Sequence, residues 1–582
     1  MTAASPPSPL LNNRPRRRAW LFSTFVTAAL VAALAATLIW PIVLAVGKGF
    51  IDEGRPSLYW LRSVMTSPEY LGYMWNSIVL AAAATSLSIL IAVPLAMIRA
   101  NCRFPGQGVL GMLLLVPLIL PPFVGAMSTE RFLSQDGVLN AILMRLGLLD
   151  VSSRNPDWLQ RGSFAAVCVL QALHLFPIMY LNVSAALANI DPAYAQAARN
   201  LGASRRRAFF RVTLPLMRPG LFAGGTIVFI WALTDIGTPL IVGYRQLLPV
   251  QIFQRLMMAK AGAETYAMVT VMLGGAVVLY VMGKFVFGRS LRAESSKASV
   301  AHEASRLGPC AAAGAWVLFG GVTVLAVLPH VGVVLRAVSG RWIGTILPSD
   351  YTLAHLKEVL ASPQSYNAII NSLRYASTST AIDLAIGGVA AWLIIRTKAR
   401  GRGLLDSLSM LPLAVPGMIL AAGYLAVTAK GTWLESIGPR ANPFVILVVA
   451  YSVRRLPFVV RGISAGLQQV PLSLEEAAHN LGSSRAGAAM RITIPLISAS
   501  VIAAAVLTFS FAMLEVSDSL MLAQLQNDYP ITKEIYQQAH AGTPDSLNRA
   551  AAMGLYAMAL LGGTIAVAAA LLGRKLGAIF RV

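Results

Sequence analysis

Acidic residues are scarce in this sequence. It holds 24 Asp and Glu against 47 Lys and Arg, and only 12% of its 582 residues are charged. A soluble domain carries about twice that charged fraction, so a chain of solvated domains is excluded. Cysteine is rarer still. Cys102, Cys168 and Cys310 lie far apart without a CxxC or zinc-like spacing, which excludes a disulfide framework. No GxxxxGK[ST] phosphate loop occurs, so nothing in the chain cradles ATP. HExxH, paired zinc half-sites and GxSxG are also missing, and with them the usual hydrolase and metalloprotease signatures.

What is present is hydrophobic. Apolar residues make up 56% of the chain, and the mean hydropathy is +0.66. That composition points to an all-α polytopic membrane protein. The net charge of +23 is not gathered in one solvated domain. It falls in short clusters between apolar runs, which fits membrane orientation and argues against nucleic acid as a partner.

A bilayer span needs about 20 apolar residues. Runs of that kind lie near 19–46, 75–98, 108–128, 164–187, 219–242 and 267–287, then near 311–338, 375–396, 403–428, 442–467, 497–522 and 550–573. About 12 transmembrane helices in two parallel six-helix repeats are therefore expected. The run from Ala19 to Val46 is too long for a signal peptide core and reads as an uncleaved anchor, with Arg14, Arg16, Arg17 and Arg18 inside. Alternate loops hold Arg99 and Arg103; Arg199, Arg205, Arg206, Arg207 and Arg211; Arg289, Arg292 and Lys297; Arg396, Lys398, Arg400 and Arg402; and Arg574, Lys575 and Arg581. This bias puts both termini in the cytoplasm. The expected layout is an N-terminal segment with the first span and an outer loop (1–71), a first membrane unit (72–288), a cytoplasmic linker (289–310), the seventh span with its loop (311–366), a second membrane unit (367–573) and a cytoplasmic tail (574–582).

The halves repeat each other. Asn76-Ser77 matches Asn371-Ser372, and Pro117 and Pro121 match Pro412 and Pro416, all 295 residues apart. Pro177 then matches Pro457, Gly202 matches Gly482 and Pro215 matches Pro495, all at 280. The first half thus holds about 15 extra residues, placed in the loop around 129–163. Across 197–216 and 477–496, twelve of twenty residues are identical. An even number of spans per half gives both halves the same orientation, related by an axis along the membrane normal.

The best-matched stretch is polar. "AQAARNLGASRRRAFFRVTLPL" and "EEAAHNLGSSRAGAAMRITIPL" each interrupt the apolar chain between the fourth and fifth spans. Prolines near the start, alanines in the middle and a glycine at the end predict a short helix lying across the membrane face. An ordinary amphipathic surface helix would account for one copy. Two near-copies at equivalent places favour docking to a two-fold partner.

The spacing resembles the EAA loop of permease subunits of ABC (ATP-driven) importers of type I. Glu476, Ala477, Ala478, Gly482, Ile492, Ile494 and Pro495 match it, and Gln196, Ala197, Ala198, Gly202, Val212, Leu214 and Pro215 match it less fully. The resemblance implies a coupling helix seated in a groove of an ATPase subunit, hence two ABC ATPase subunits and a periplasmic substrate-binding protein as partners. It also implies that ATP is held by those partners, that this chain has no cofactor and no enzymatic site, and that it lies in a bacterial inner membrane. Gln196 departs from the pattern by losing a charge. The fused layout and "IWALTDIGTPLIVGY" (230–244) are similar to permeases for ferric iron, whose relatives serve 2-aminoethylphosphonate, thiamine, polyamines or sulfate. An ion-gradient-driven secondary transporter and a non-transporting scaffold are the rival classes.

Ionisable residues inside spans are candidates for a substrate path. Asp235 and Glu515 occupy the same repeat position, with Asp518 just beyond. These acids suit a cationic substrate, or else they cap helices near a Gly and Pro break. Arg454 and Arg455 lie in the tenth span, with His174 in the place of Arg454 in the first half. They suit an anion, or else pair with Asp383 in the eighth span. No metal-ligand set is expected.

Overall fold

The computed structural model describes residues 14–150, 155–159, 162–258, 262–287 and 305–572. The linker residues 289–304 and the tail 574–582 lie outside them. So do Arg289, Arg292, Lys297, Arg574, Lys575 and Arg581, and the side chains of Arg14, Arg16, Arg17 and Arg18. Among the described residues the chain is helical apart from loops and two two-stranded pairings, Ile51–Asp52 with Arg55–Pro56 and Cys102–Arg103 with Ser305–Arg306.

All twelve expected segments are helical, but they do not all cross in one piece. Among the described residues, eight continuous helices are long and apolar enough to span a bilayer, or up to ten if each of two bent pairs counts as one span. The expected spans 108–128 and 403–428 are those bent pairs. Gln107–Ile119 meets Pro122–Arg145 at 103°, and Arg402–Leu413 meets Gly417–Val427 at 102°. Pro121 and Pro416 sit at the breaks with extended ψ angles of 138° and 129°. A proline donates no backbone N–H and starts a helix more readily than it continues one. The tenth segment, Phe444–Gln469, is helical but carries Arg454, Arg455 and Arg461. The fifth and eleventh helices end earlier than expected, at Thr234 and Met513. Short helices Gly237–Val242 and Ser517–Leu522 follow them.

The first helix of each half packs on the other half. Leu34 is buried with Ala390, Leu393, Leu405 and Leu456, and Leu38 with Tyr375, Leu420 and Tyr451. The Tyr424 hydroxyl donates to Thr37 O at 2.9 Å. In return, Ala315, Phe319 and Ala326 of Pro309–Ala337 join a core with Leu80, Leu110 and Phe176, and the Phe104 and Phe319 rings meet edge-on at 5.4 Å. Burial of apolar surface in both directions ties the halves into one body, at about 25 cal/mol per Å² removed from solvent where that surface leaves water. Helix packing inside lipid relies more on close fit.

The repeat is visible in hydrogen bonds too. Ser77 Oγ accepts from Leu248 N at 2.9 Å, and Asn76 Nδ2 donates to Gln246 O at 3.2 Å. Ser372 Oγ accepts from Ile531 N at 2.7 Å, and Asn371 Nδ2 donates to Asn527 O at 2.7 Å. Each serine thus holds the first N–H of a later helix, Leu248–Met257 or Ile531–Ala541, and each asparagine ties a carbonyl of the loop before that helix to the same place. Ser77→Ala and Ser372→Ala are expected to cost similar amounts, each about 1 kcal/mol. Thermal melting of the purified protein would read this, and a clear inequality would count against equivalent roles.

Candidate functional site

The twin loops fold alike. Pro192–Asn200 is capped by Asp191, whose carboxylate accepts from Ala193 N at 2.8 Å, whereas Leu472–Asn480 starts at Pro471 with no side-chain cap. Gly202 and Gly482 close the two helices with φ of +87° and +86°. The N–H groups of Gly202 and Ala203 bond to Arg199 O and Ala198 O at 2.9 and 3.0 Å. Those of Gly482 and Ser483 bond to His479 O and Ala478 O, both at 2.9 Å. This left-handed helix ending favours glycine because other residues strain there. Ser204 and Ser484 then cap the next short turns, and a π-helical turn leads into the fifth span of each half, at Phe209–Thr213 and Ala489–Thr493.

The loops expose matched apolar side chains. Leu201 and Leu481 are 90% and 89% exposed, and Tyr194 with Leu474 and Phe210 with Met490 are exposed at repeat-equivalent positions. Large apolar groups held open around a short helix mark an interaction surface. Gln196 and Glu476 are both exposed, as are Ala197 and Ala477. Gln196 lines a cleft of about 590 Å³ with Arg199, Asn200, Gly202, Ala203, Ser204 and Arg205. Ala198 is half-buried and Ala478 buried, on the side facing the bundle.

A substitution at Gly482 meets no atom within 4 Å of the new Cβ. Its cost is therefore backbone strain, about 1–2 kcal/mol for an ordinary L-residue. Gly482→Val is expected to speed amide exchange at the end of Leu472–Asn480, and Gly482→Asn to do so much less, because asparagine tolerates this conformation. Equal exchange in the two variants would contradict the strain argument.

Among the described residues, the expected in-span charges assemble in the second half. Arg454 Nη1 lies 2.6 Å from Glu515 Oε1 and 3.2 Å from Asp518 Oδ2. Arg455 Nη2 bonds the other Glu515 carboxylate oxygen and donates to Phe511 O at 3.0 Å. Asp383 does not pair with either arginine as expected. Its Oδ2 is buried without a hydrogen-bond partner, and so is Arg455 Nε, so the arginine's two bonds run to Glu515 and Phe511 O instead. In the first half Asp235 works as a helix cap: its Oδ1 accepts from Gly237 N at 2.9 Å, and its Oδ2 accepts from Gln171 Nε2 at 3.2 Å. Leu175 and Thr238 stand at the places of Arg455 and Asp518, so the ion network has no counterpart there.

Two aromatic pairs join repeat-equivalent residues. Trp231 and Phe511, 280 apart, meet edge-on at 5.7 Å between ring centroids. Phe253 and Tyr536, 283 apart like the serine-held Leu248 N and Ile531 N, meet at 6.4 Å in the helices that the Asn-Ser pairs anchor. Equivalent residues that touch must lie near the axis relating the halves. Sequence reading missed both pairs. The alignment signal was available, since Trp231 falls on Phe511 in the same register as Gly202 on Gly482. It also missed Glu475, which is buried beside Arg396.

Two helical repeats that meet through equivalent aromatic rings, each exposing a matched loop, define a polytopic membrane protein built as two halves. The chain belongs to the binding-protein-dependent transport system inner membrane component family, whose model matches it twice, at 88–292 and 383–577. It is 24% identical over 424 residues to a putative ferric transport system permease protein, FbpB 1, of Haemophilus influenzae, covering 70% of this chain and 63% of that protein. It is 24% identical over 563 residues to the probable ABC transporter permease protein y4fN of Sinorhizobium fredii, covering 94% of each. Over 186 residues it is 33% identical to the molybdenum transport system permease protein ModB of Escherichia coli, covering 30% of this chain and 72% of that one. The chain thus spans just under two thirds of the ferric relative and nearly all of y4fN.

Proposed function

We propose that this chain is the complete membrane pathway of an ATP-driven importer, carrying a small solute, ferric iron by preference, from periplasm to cytoplasm. The observation that carries the reading is the pair of near-identical exposed loops, each ended by a left-handed glycine and tipped by an exposed leucine. Two ATPase subunits dock on those loops from the cytoplasm, and a periplasmic protein delivers the solute at the opposite face. ATP binds and is hydrolysed on the partners. Closing of the ATPase pair draws the loops together, and the halves rock about the axis marked by Trp231–Phe511. The arginine clusters support a cytoplasmic position for the loops and both termini.

Ferric iron is supported by the ferric relative and by the fused two-half layout. The ion network supports it weakly, since the acids that suit a cation are already neutralised by Arg454 and Arg455. The molybdenum relative favours a second substrate reading, an anion. The test is uptake into vesicles holding the chain, its ATPase subunits and its capture protein. ATP-dependent uptake of labelled ferric iron, blocked by an excess of unlabelled iron and not by molybdate, is expected. Uptake driven by an ion gradient without ATP would overturn the importer reading, and uptake of molybdate alone would overturn the substrate. In the same vesicles Gly482→Val is expected to lower transport while Gly482→Asn keeps most of it.

A further inference from the structure

The twin loops are not held alike. Glu475 is buried at the base of the second loop, and its Oε1 accepts from Thr493 Oγ1 at 3.0 Å. Arg396 Nε lies 3.2 Å from the same oxygen, a charge contact with both side chains largely shielded from solvent. Arg396 also donates through Nη2 to Leu467 O at 2.9 Å and Val470 O at 2.7 Å. One carboxylate therefore joins the loop helix to three elements. These are the end of Pro363–Arg396, the end of Phe444–Gln469 and the π-turn at the entrance to the next span. In the first loop Ala195 stands at the place of Glu475, and Asn101 at that of Arg396. An alanine has no group to accept a bond or pair with a charge. The first loop differs in charge as well: residues 191–211 carry five arginines and one acid, whereas 471–491 carry two arginines and two acids.

We propose that Glu475 is a positioning residue that latches the second loop to its half. The two arms are then mechanically unequal: a stiff second arm transmits displacement to three helices at once, and the alanine at 195 gives the first arm no carboxylate for such a latch. The proposal rests on reading the loops as docking elements, but its first test does not. In the full-length chain without partners, amides of Leu472–Asn480 are expected to exchange more slowly than those of Pro192–Asn200, and Glu475→Gln to remove the difference. Equal exchange of the two loops in the unmutated chain overturns the latch whether or not any ATPase binds. In the complex with ATPase subunits, Glu475→Gln is expected to leave their co-purification unchanged while solute moved per ATP falls about threefold or more. A merely structural loss would lower assembly and leave that ratio alone. If Glu475→Gln fails to fold, Thr493→Val, which removes only the hydroxyl's bond, is read in its place with the same expected direction. An unchanged ratio in the variant that is read overturns the proposal. If the unmutated chain binds no ATPase subunit, the docking reading falls and the exchange comparison still decides the latch.

Discussion

Replacing Glu515 with leucine is expected to destabilise the protein by about 3–5 kcal/mol, the usual result of removing one partner from a buried ion network. Glu515 is 3% exposed and Asp518 is 0% exposed, so water cannot take over the lost contacts. Arg455 would keep only its bond to Phe511 O, and Arg454 would keep only Asp518 at 3.2 Å. One carboxylate would then face two guanidinium groups in a low-dielectric interior. The double variant Glu515→Leu with Arg455→Leu is expected to recover a large part of the loss, because Arg454 and Asp518 then pair one to one. The first half gives a precedent, with Leu175 at the place of Arg455. Asp235→Leu in that half is expected to cost only about 1 kcal/mol, since it removes a helix cap and strands no charge. Thermal melting of all three variants in one detergent checks the series. A Glu515→Leu loss no larger than that of Asp235→Leu would show that the network is not held as described. A double variant no better than the single would show the same.

The parts of this architecture that could be read from sequence are those written in local chemistry. Apolar runs of bilayer length gave twelve helices because the backbone must satisfy its own hydrogen bonds in lipid. The loops could be read because their ending needs glycine at a left-handed position, and Gly202 and Gly482 share one register. The Asn-Ser pairs at 76 and 371 were visible as a match, but their task was not. Their partners, Leu248 N and Ile531 N, lie about 160–170 residues further along the chain.

What was not legible depends on distant partners. The crossing of Trp20–Lys48 onto the other half leaves no mark in an apolar run, which states that a helix is buried in lipid or protein but not against what. Arg454 and Arg455 had three acids within reach of their helix, and sequence cannot rank Asp383 against Glu515 when each is one side chain away. The bends at Pro121 and Pro416 are a subtler miss. Other prolines, such as Pro94 and Pro177, lie inside continuous helices, so proline alone does not announce a break. Glu475 was overlooked beside Glu476 for a related reason. Adjacent helical positions point about 100° apart, so one faces the bundle and its neighbour does not.

The crossing helix also yields the most demanding substitution. Gly423→Leu is expected to drive the first helix away from the second half. A Cβ at 423 would stand 2.6 Å from the Pro41 carbonyl oxygen and 2.7 Å from its carbon, closer than any real contact. Both are backbone atoms, so no rotamer change relieves the clash. One of the helices must move. Moving it breaks the Tyr424 bond to Thr37 O and the Lys48 Nζ bond to Ala426 O, which hold the same interface at 2.9 and 3.3 Å. Overpacking of a tight site costs about 1–3 kcal/mol, and the lost hydrogen bonds add about 1 kcal/mol each. Because the helix joins the fold through this face, the loss should be local first, with faster amide exchange across Trp40–Lys48 while Pro68–Asn101 keeps its protection. Gly423→Ala should show the same pattern to a smaller extent, since even its methyl carbon falls within the clash. Gly72→Ala is the control: it lies on a helix where nothing stands within 4 Å of the added carbon, so it should be neutral or stabilising. Unchanged exchange in Trp40–Lys48 for Gly423→Leu would mean that the first helix is not seated on the second half at this point.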